Sequence, residues 1–275
     1  MRFLFKKIIL NDGPSQGDVS PKEMAAQLKK SMDSLKTGFF ESSTRGVRVA
    51  YERIKEAEVY QAHRQLSNNL KAMDLALLAS REERTAFWIN LYNVIVIHGV
   101  IALGIRDSVK EVRNFFQGVY YQVGGHLFCP DDMEHGVLRG NRRPPYALFR
   151  RFRGQDPRLK YIVEPLDPRI HFTLVCGSAS CPFIDVYTPE NLEWELDTAA
   201  RAFINSGSVA LNREEMSISL SSIFKWYAQD FGSTQGERLR FLARFRDNEE
   251  ERRFIATNAD GLQVTYQPYD WRLNQ

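Results

Sequence analysis

The most uniformly apolar part of the chain is TAFWINLYNVIVIHGVIAL, residues 85–103. Its apolar side chains point in every direction around a helix instead of forming one stripe, and this pattern predicts a central helix that is buried on most sides. The polar exceptions are Asn90, Asn93 and His98. A buried polar group without a hydrogen-bond partner costs about 1–3 kcal/mol, so we expect specific polar groups elsewhere in the chain to meet these three side chains.

The composition predicts a globular protein with a substantial core. The chain has 275 residues, of which 43% are hydrophobic, and this is enough for one domain with a smaller helical annex. Lys and Arg total 37, and Asp and Glu total 34. The resulting net charge of +3 is too small to indicate nucleic acid or an anionic membrane as a partner.

The first ten residues and the cysteine content bear on location. The segment MRFLFKKIIL lacks the continuous apolar region and the cleavage site of a secretory signal, and three cysteines do not make a secreted disulfide framework. We therefore expect a cytoplasmic protein. The stretch 85–103 approaches the length of a bilayer span, but its two asparagines and its histidine favour a core helix, so no membrane association is expected.

One local exception to the charge balance is a basic run between Arg139 and Arg158. This surface could bind an acidic partner or ligand, although a solvated surface is the more common role of such a run. The arginines of the run are Arg139, Arg142, Arg143, Arg150, Arg151, Arg153 and Arg158.

Helical patterns dominate the N-terminal part of the chain. Residues 11–22 have the composition of a loop, and Ser20-Pro21 then supplies an N-cap with proline at the first helical position. Apolar residues follow at helical spacing, and residues 46–79 predict one or two further helices. We divide the chain into an N-terminal helical segment, residues 1–59, packed on a main domain, residues 60–275.

Strand patterns alternate with helical ones beyond Gly104. Two β-rich segments flank Gly124-Gly125 and predict a hairpin over residues 119–129. The other predicted elements are a short helix at 131–140, a strand at 170–176, a helix from Thr188, a hairpin at 209–220, helices at 221–231 and 237–258, and a strand at 262–266. Helices first and mixed elements later predict an α+β fold, with a small, mostly antiparallel sheet packed on the buried central helix.

The segment HFTLVCGSASCP, residues 171–182, carries the strongest candidates for chemistry. In the predicted strand, alternation places Cys176 and His171 on opposite faces, so these side chains should not pair directly. Cys181 lies in the Gly/Ser loop after the strand, where functional residues tend to cluster. Three chemistries stay open, namely a thiol nucleophile, a metal site and a redox disulfide.

Each chemistry would recruit residues from other segments. A nucleophile needs a histidine base within about 3 Å and an orienting group, for which His135, His171, Asn90, Asn93 and Asp270 are candidates. A metal could draw on both cysteines and both histidines, but the four-residue gap between the cysteines departs from the CxxC pattern, and we predict no metal or other cofactor. A disulfide between the two cysteines would suit a redox switch.

Two pairs of polar residues have competing interpretations. Asn90 and Asn93 share one face of the central helix, and paired amides on a core helix often bind loop carbonyls without touching a ligand. Glu134 and His135 are neighbours on the short helix. Adjacent residues on an α-helix diverge by about 100°, so we expect only one of these two to face any given pocket.

Taken together, the motifs resemble those of one known family. They are, in order, AFWINLYNVIVIH, DDMEHGVLRG, DPRIHFTLVCGSASCP, VYTPENL, SLSSIFKWYAQDFG and YDWRLN. In this order they are similar to the DUF547 family of uncharacterised domains, over residues 60–275. The resemblance names no activity. DUF547 domains also occur at the C-terminal end of plant proteins with leucine-zipper segments and of proteins joined to a glutaredoxin-like domain, and the second arrangement lends modest support to thiol chemistry.

Two functions of different classes are therefore predicted as alternatives. The first is a thiol-dependent enzyme, hydrolase-like or redox, that acts on a small molecule or peptide. Its candidate site residues are Cys176, Cys181, His171, His135, Glu134, Asn90 and Asn93. The second is a non-catalytic binding or scaffold module that uses the Arg139–Arg158 surface. A single pocket requires the Asn90/Asn93 face to lie against the loop GSASCP, residues 177–182.

Overall fold

The architecture was obtained from a computed structural model, which describes residues 7–15, 17, 19–43 and 46–275. The α-helices of these residues are α1 (Pro21–Phe39), α2 (Tyr51–Lys55), α3 (Glu58–Asn69), α4 (Arg81–Ala102), α5 (Phe115–Gly118), α6 (Leu192–Asn205), α7 (Ser222–Trp226), α8 (Ala228–Phe231), α9 (Gln235–Ala243) and α10 (Glu249–Asn258). Short 3₁₀ helices are formed by Leu70–Ala72, Leu75–Leu77, Val109–Glu111, Pro157–Tyr161 and Pro168–Phe172, and a π-helix is formed by Asp132–Leu138.

The central helix is α4, and its burial confirms the prediction made for residues 85–103. The side chain of Ser80 accepts the N–H of Glu83, whose carboxylate in turn accepts the N–H of Ser80, so a capping box starts the helix. Every residue from Thr85 to Ile101 is buried. By length and composition α4 could cross a membrane, but 94% of its most apolar window is buried inside the fold, as in a core helix.

The strands form small sheets of mixed direction. They are β1 (Ile8–Ile9), β2 (Phe40–Ser43), β3 (Gly46–Val49), β4 (Val119–Val123), β5 (His126–Phe128), β6 (Val209–Asn212), β7 (Ser217–Ser221) and β8 (Gln263–Gln267). β4 pairs with β5 in the predicted hairpin and with β1 in parallel, whereas β7 pairs with β6 antiparallel and with β8 in parallel. β2 and β3 form a separate hairpin. The α+β class is confirmed, with the strands divided among these sheets.

Two hydrophobic clusters fill the interior. The larger surrounds α4 and takes in the buried face of α1, so the N-terminal helices and the central helix share one core. The smaller lies among α6, β6, β7 and the helices α7 to α10. Phe172 belongs to the smaller cluster, whereas Ile170 and Leu174 belong to the larger one. The segment 170–174 therefore joins the two clusters. The domain boundary proposed between residues 59 and 60 falls inside α3 and stays a prediction.

The strand predicted at 170–176 is wrong, because this part of the chain is a 3₁₀ helix followed by irregular backbone. The side chain of Asp167 accepts the N–H of Arg169, and Pro168 occupies the first helical position. The β-branched and aromatic residues of this run favour a strand in isolation. The cap and the proline instead start a turn, and contacts with α4 then fix it.

Some predicted helices also have different limits. Residues 237–258 form α9 and α10 instead of one helix, since the side chain of Asn248 accepts the N–H of Glu251 and caps a new start. The predicted helix 221–231 is interrupted at Tyr227, between α7 and α8. The stretch 46–79 begins with β3, whose hairpin was not predicted, before α2 and α3 follow.

Candidate functional site

A cavity of about 370 Å³ lies where the two hydrophobic clusters meet. Tyr92 of α4 and Leu174 reach it from the larger cluster, and Ile223 of α7 reaches it from the smaller one. Polar side chains complete part of the wall, and they are Asp131, Glu134, His135, His171 and Cys176. Largely apolar cavities with a few convergent polar groups are the usual form of ligand sites. This cavity is therefore the candidate functional site.

Glu134 and His135 both line the cavity because the helix that carries them is a π-helix. The N–H of Arg139 donates to the carbonyl of Glu134, five residues earlier, at 2.8 Å. The wider turn brings neighbouring side chains closer in direction than an α-helix does. The expectation that only one of the two residues faces a pocket assumed α-helical geometry and is wrong.

An ion-pair network beside the cavity centres on Asp230. Its Oδ2 accepts from Nε2 of His171 at 2.9 Å and from Nε of Arg139 at 2.7 Å, and its Oδ1 accepts from Nη1 of Arg142 at 2.9 Å. Burial opposes ionisation of Asp230, but His171 and Arg139 hold its pKa well below the usual range. Burial lowers the pKa of His171 to about 4. The neutral imidazole therefore carries its proton on Nε2, and Nδ1 is left as a proton acceptor.

His135 and Glu134 form a second pair of titratable groups. Nη1 of Arg139 donates to Nδ1 of His135 at 3.0 Å, and because a guanidinium only donates, the proton of the neutral imidazole lies on Nε2. Burial, followed by the charge of Arg139, lowers the pKa of His135 well below its usual value. Burial raises the pKa of Glu134 to about 7, against the effect of a hydrogen bond from Tyr227. Glu134 can thus exchange a proton near neutral pH, as general acid–base catalysis requires.

Cys176 and Cys181 face each other across a tight loop. Their Sγ atoms lie 2.9 Å apart, and both thiols are free. Sγ of Cys181 also accepts the N–H of Cys176 at 3.0 Å and the N–H of Ser178 at 3.4 Å. The hydroxyl of Ser178 lies 3.3 Å from this sulfur and 3.3 Å from Sγ of Cys176. The hydroxyl of Tyr269 lies 3.5 Å from Sγ of Cys181 and 3.2 Å from Sγ of Cys176. The loop thus surrounds one sulfur atom with donors.

These contacts distribute protons unevenly between the two thiols. Burial opposes ionisation of Cys181, but hydrogen bonds from Cys176, Ser178 and Tyr269 lower its pKa to about 6. The hydrogen bond with Cys181, together with burial, raises the pKa of Cys176 well above its usual value. Near neutral pH the thiol of Cys176 therefore donates a hydrogen bond to the thiolate of Cys181. Among the residues that the structure describes, no hydrogen bond joins either sulfur to a histidine.

The loop that carries the cysteines is attached to α4 on both sides. The amide of Asn93 donates to the carbonyl of Thr173 at 2.9 Å and accepts the N–H of Val175 at 2.9 Å. The amide of Asn90 binds both the carbonyl and the N–H of Tyr187, at 2.7 Å and 2.9 Å. The Asn90/Asn93 face thus binds the segments on either side of the loop, through hydrogen bonds that do not include residues 177–182. Both amides are satisfied by backbone groups and position the loop.

The C-terminal segment holds the same loop from another side. The N–H of Ala179 donates to the carbonyl of Arg272 at 2.8 Å, and the N–H of Asn274 donates to the carbonyl of Gly177 at 3.0 Å. Gly177 has a φ of +81°, a conformation that glycine adopts without strain. Trp271 of this segment lines the cavity. The cysteine loop is therefore fixed between α4 and the C-terminus.

Comparison with known proteins identifies the middle of the chain. Residues 76–204 match the model of a family described as "Protein of unknown function, DUF547". Residues 76–204, a little under half of the chain, are thus similar to the DUF547 family. No curated protein and no solved structure shows a significant match to the chain. The match includes both cysteines and the π-helix, whereas Tyr227, Asp230 and Tyr269 lie beyond it.

The cavity is therefore completed by residues outside the matched segment. Tyr227, Asp230 and Tyr269 were not predicted as site residues, although two of the quoted motifs, SLSSIFKWYAQDFG and YDWRLN, contain them. Tyr227 and Asp230 are three residues apart, a helical spacing that places a ring and a carboxylate on one side of a short helix. Their partner His171 lies 59 residues earlier in the chain, and sequence spacing does not reveal such contacts.

His98, the third polar exception of α4, belongs to a separate interior contact. Its Nδ1 lies 2.7 Å from the hydroxyl of Tyr121, and Nε2 of His63 lies 3.3 Å from the same hydroxyl. Burial lowers the pKa of both imidazoles. The four buried histidines with lowered pKa values are thus His63, His98, His135 and His171.

The basic run is largely neutralised inside the fold. Arg139 and Arg142 bind Asp230, while Arg151 and Arg158 bind Asp132 at 2.8 Å and 3.0 Å. An acidic partner at the Arg139–Arg158 surface stays a prediction, and it would have fewer free guanidinium groups than the sequence suggests. No group of three or more His, Cys, Asp or Glu side chains within the described ranges is arranged to hold a metal ion.

Proposed function

We propose that the protein carries out thiol–disulfide exchange with Cys176 and Cys181. The observation that supports this proposal is the 2.9 Å separation of two free sulfurs, one of which is surrounded by hydrogen-bond donors. A disulfide needs sulfurs about 2 Å apart, so a shift of about 1 Å closes the bond. A thiolate is the attacking species in disulfide exchange, and the low pKa of Cys181 keeps one thiolate in the pair at neutral pH, to which Cys176 can pass its proton when it attacks.

The two cysteines have different roles in this proposal. Cys176 is half-buried and lines the cavity, so its sulfur meets a substrate disulfide first. It passes its proton to the thiolate of Cys181 and attacks one substrate sulfur, whereupon the substrate S–S bond breaks and the first substrate thiolate leaves. Cys181 then gives up its proton to that leaving thiolate and attacks Cys176. The Cys176–Cys181 disulfide forms, and the second substrate thiolate leaves and takes a proton from water. The substrate is thereby reduced by two electrons and the protein pair is oxidised by two electrons.

A redox titration of the full chain tests this proposal. The protein is equilibrated in glutathione buffers of increasing oxidation, its remaining thiols are blocked, and the product is analysed by mass spectrometry. We expect Cys176 and Cys181 to be lost together in one two-electron transition, which Cys176→Ser and Cys181→Ser both abolish. Cys129→Ser is the matched control and should leave the transition unchanged, because Cys129 is buried away from the pair. If the wild-type pair stays reduced in every buffer, the proposal is wrong.

The second candidate is a cysteine hydrolase, favoured by the hydrogen bond from the neutral His171 to Asp230 beside the cavity that Cys176 also lines. A histidine oriented by a carboxylate is the usual base of such enzymes. The hydrogen-bond partners of the Cys176 sulfur support this candidate less, since they are Cys181, Ser178 and Tyr269. Cys181→Ser separates the candidates, because hydrolysis needs one cysteine and disulfide exchange needs both. A cytoplasmic location remains our expectation, since that compartment would return the pair to its reduced form.

A further inference from the structure

We infer that the cavity is a binding site for a small organic cation, one that carries an amine or quaternary ammonium group beside an apolar part. This inference does not depend on disulfide exchange and would stand if both cysteines were inert. Three features carry it, namely the aromatic wall of the cavity, the acidic groups in that wall, and the absence of a competing positive charge among the described lining residues.

The aromatic wall has the composition that binds ammonium groups. Three rings stand together on one side of the cavity, with centroids 4.8 Å apart between Trp226 and Tyr269, 4.8 Å between Tyr269 and Trp271, and 5.9 Å between Trp226 and Trp271. Tyr92 and Phe116 contribute further aromatic surface. The face of an aromatic ring carries negative charge, and several rings around one space attract a cation.

The chain itself already places an ammonium group on this wall. Nζ of Lys110 lies 4.1 Å from the centroid of the Trp271 ring. Lys110 is not among the residues that line the cavity, so it does not occupy the space between the rings. Tyr227 contributes differently, because its ring stacks on His171 with centroids 3.9 Å apart and its hydroxyl bonds to Glu134.

Two carboxyl groups give the cavity an acidic character. Asp131 is engaged by the hydroxyl of Tyr146, and Arg151 lies 3.9 Å from its Oδ2. Glu134 has no ion-pair partner among the described arginines and lysines, and the nearest basic group is the neutral imidazole of His135 at 3.6 Å. Burial raises the pKa of Glu134 by more than the hydrogen bond from Tyr227 and the charge of Arg139 lower it. An organic cation in the cavity would supply a direct counter-ion.

The remaining polar groups of the wall do not oppose a cation. His135 and His171 are neutral at neutral pH, since burial lowers the pKa of each. The guanidinium of Arg139 lies behind His135 and is occupied by Asp230, by Nδ1 of His135 and by the carbonyl of Arg143. A volume of about 370 Å³ accommodates a ligand the size of a substituted benzene.

Binding of two matched probes tests the inference. Benzyltrimethylammonium is compared with its neutral carbon isostere, in which carbon replaces the nitrogen, by calorimetry and by the fluorescence of the tryptophans. We expect the cation to bind about tenfold more tightly than the isostere, since cation–π contacts and one unpaired carboxylate favour only the charged probe. Equal affinities, or no binding of the cation at millimolar concentration, would overturn the inference.

Variants locate the binding in the cavity. Glu134→Gln should weaken the cation about tenfold and leave the isostere unchanged, whereas Glu214→Gln, in an exposed turn, should change neither. Should Glu134→Gln not fold, Trp226→Leu provides a second test, with Trp194→Leu on the exposed face of α6 as its control. Trp226→Leu should weaken the cation about fivefold. If each cavity variant behaves like its control, the cation does not bind there and the inference fails.

Discussion

Replacing Tyr269 with phenylalanine should raise the pKa of the cysteine pair, because the hydroxyl of Tyr269 lies 3.5 Å from Sγ of Cys181 and 3.2 Å from Sγ of Cys176. The substitution keeps the ring and removes one donor to the thiolate. A hydrogen bond to a charged group contributes about 1.5–3 kcal/mol, and these distances favour the lower end of that range. Since 1.36 kcal/mol corresponds to one unit, we expect the pKa to rise by about one unit.

The expected midpoint of thiolate formation is therefore about pH 7 in Tyr269→Phe, against about 6 in the wild type. At pH 7 the thiolate fraction should fall from about nine tenths to about half. The maximal alkylation rate at high pH should instead increase about threefold, because a more basic thiolate is more nucleophilic. A lower thiolate fraction at pH 7 with a faster maximal rate distinguishes loss of a donor from simple distortion of the loop.

The midpoint of thiolate formation is measured from the ultraviolet absorbance of the thiolate as a function of pH. The alkylation rate is measured with iodoacetamide across the same pH range, and mass spectrometry follows the labelling site by site. Tyr266→Phe is the matched control, since Tyr266 lies on β8, is partly exposed and has no sulfur contact. A midpoint that stays near pH 6 in Tyr269→Phe, or that moves equally in the control, would show that Tyr269 does not stabilise the thiolate.

Two further predictions concern stability. Asn93→Ala should lower the free energy of unfolding, measured by urea titration, by about 2–5 kcal/mol. The substitution leaves the N–H of Val175 and the carbonyl of Thr173 without partners. The control Asn191→Ala, at an exposed position, should lower it by less than about 1 kcal/mol. Acidification from about pH 7 to 5.5 should lower the free energy of unfolding by about 4–5 kcal/mol. The four buried histidines and Cys181 have lowered folded pKa values, so the unfolded chain binds more protons than the folded chain in this range, whereas Glu134, with its raised pKa, opposes this by about one proton. Stability that is unchanged or higher at the lower pH would contradict this account.

The sequence predicts those elements whose local signals agree with the final packing. For α4, the continuous apolar composition and the capping box at Ser80 and Glu83 both indicate a buried helix. For the hairpin of β4 and β5, the two glycines define the turn. For residues 170–176 the local preference for a strand is overruled by Asp167, Pro168 and the amide of Asn93, all of which lie outside the run.

The site was predictable only in part, for a related reason. The residue types in the cavity wall were identified from motifs, but the partners of each group depend on contacts between distant segments. Cys176 and Cys181 approach because Gly177 turns the chain and the C-terminus holds that turn, neither of which follows from a spacing of five residues. The pairing of His171 with Asp230 depends on how the smaller hydrophobic cluster packs against the larger one.

The π-helix makes the cavity sensitive to chain length. A deletion of one residue within 132–138 would let the segment return to α-helical hydrogen bonding, in which adjacent side chains diverge by about 100°. Glu134 and His135 would then no longer share the cavity wall. Gly136 lets Phe152 pack directly against this segment, since a Cβ there would lie 2.4 Å from the Phe152 ring. Insertions and deletions in this segment therefore change which side chains form the binding surface, even where every individual residue type is retained.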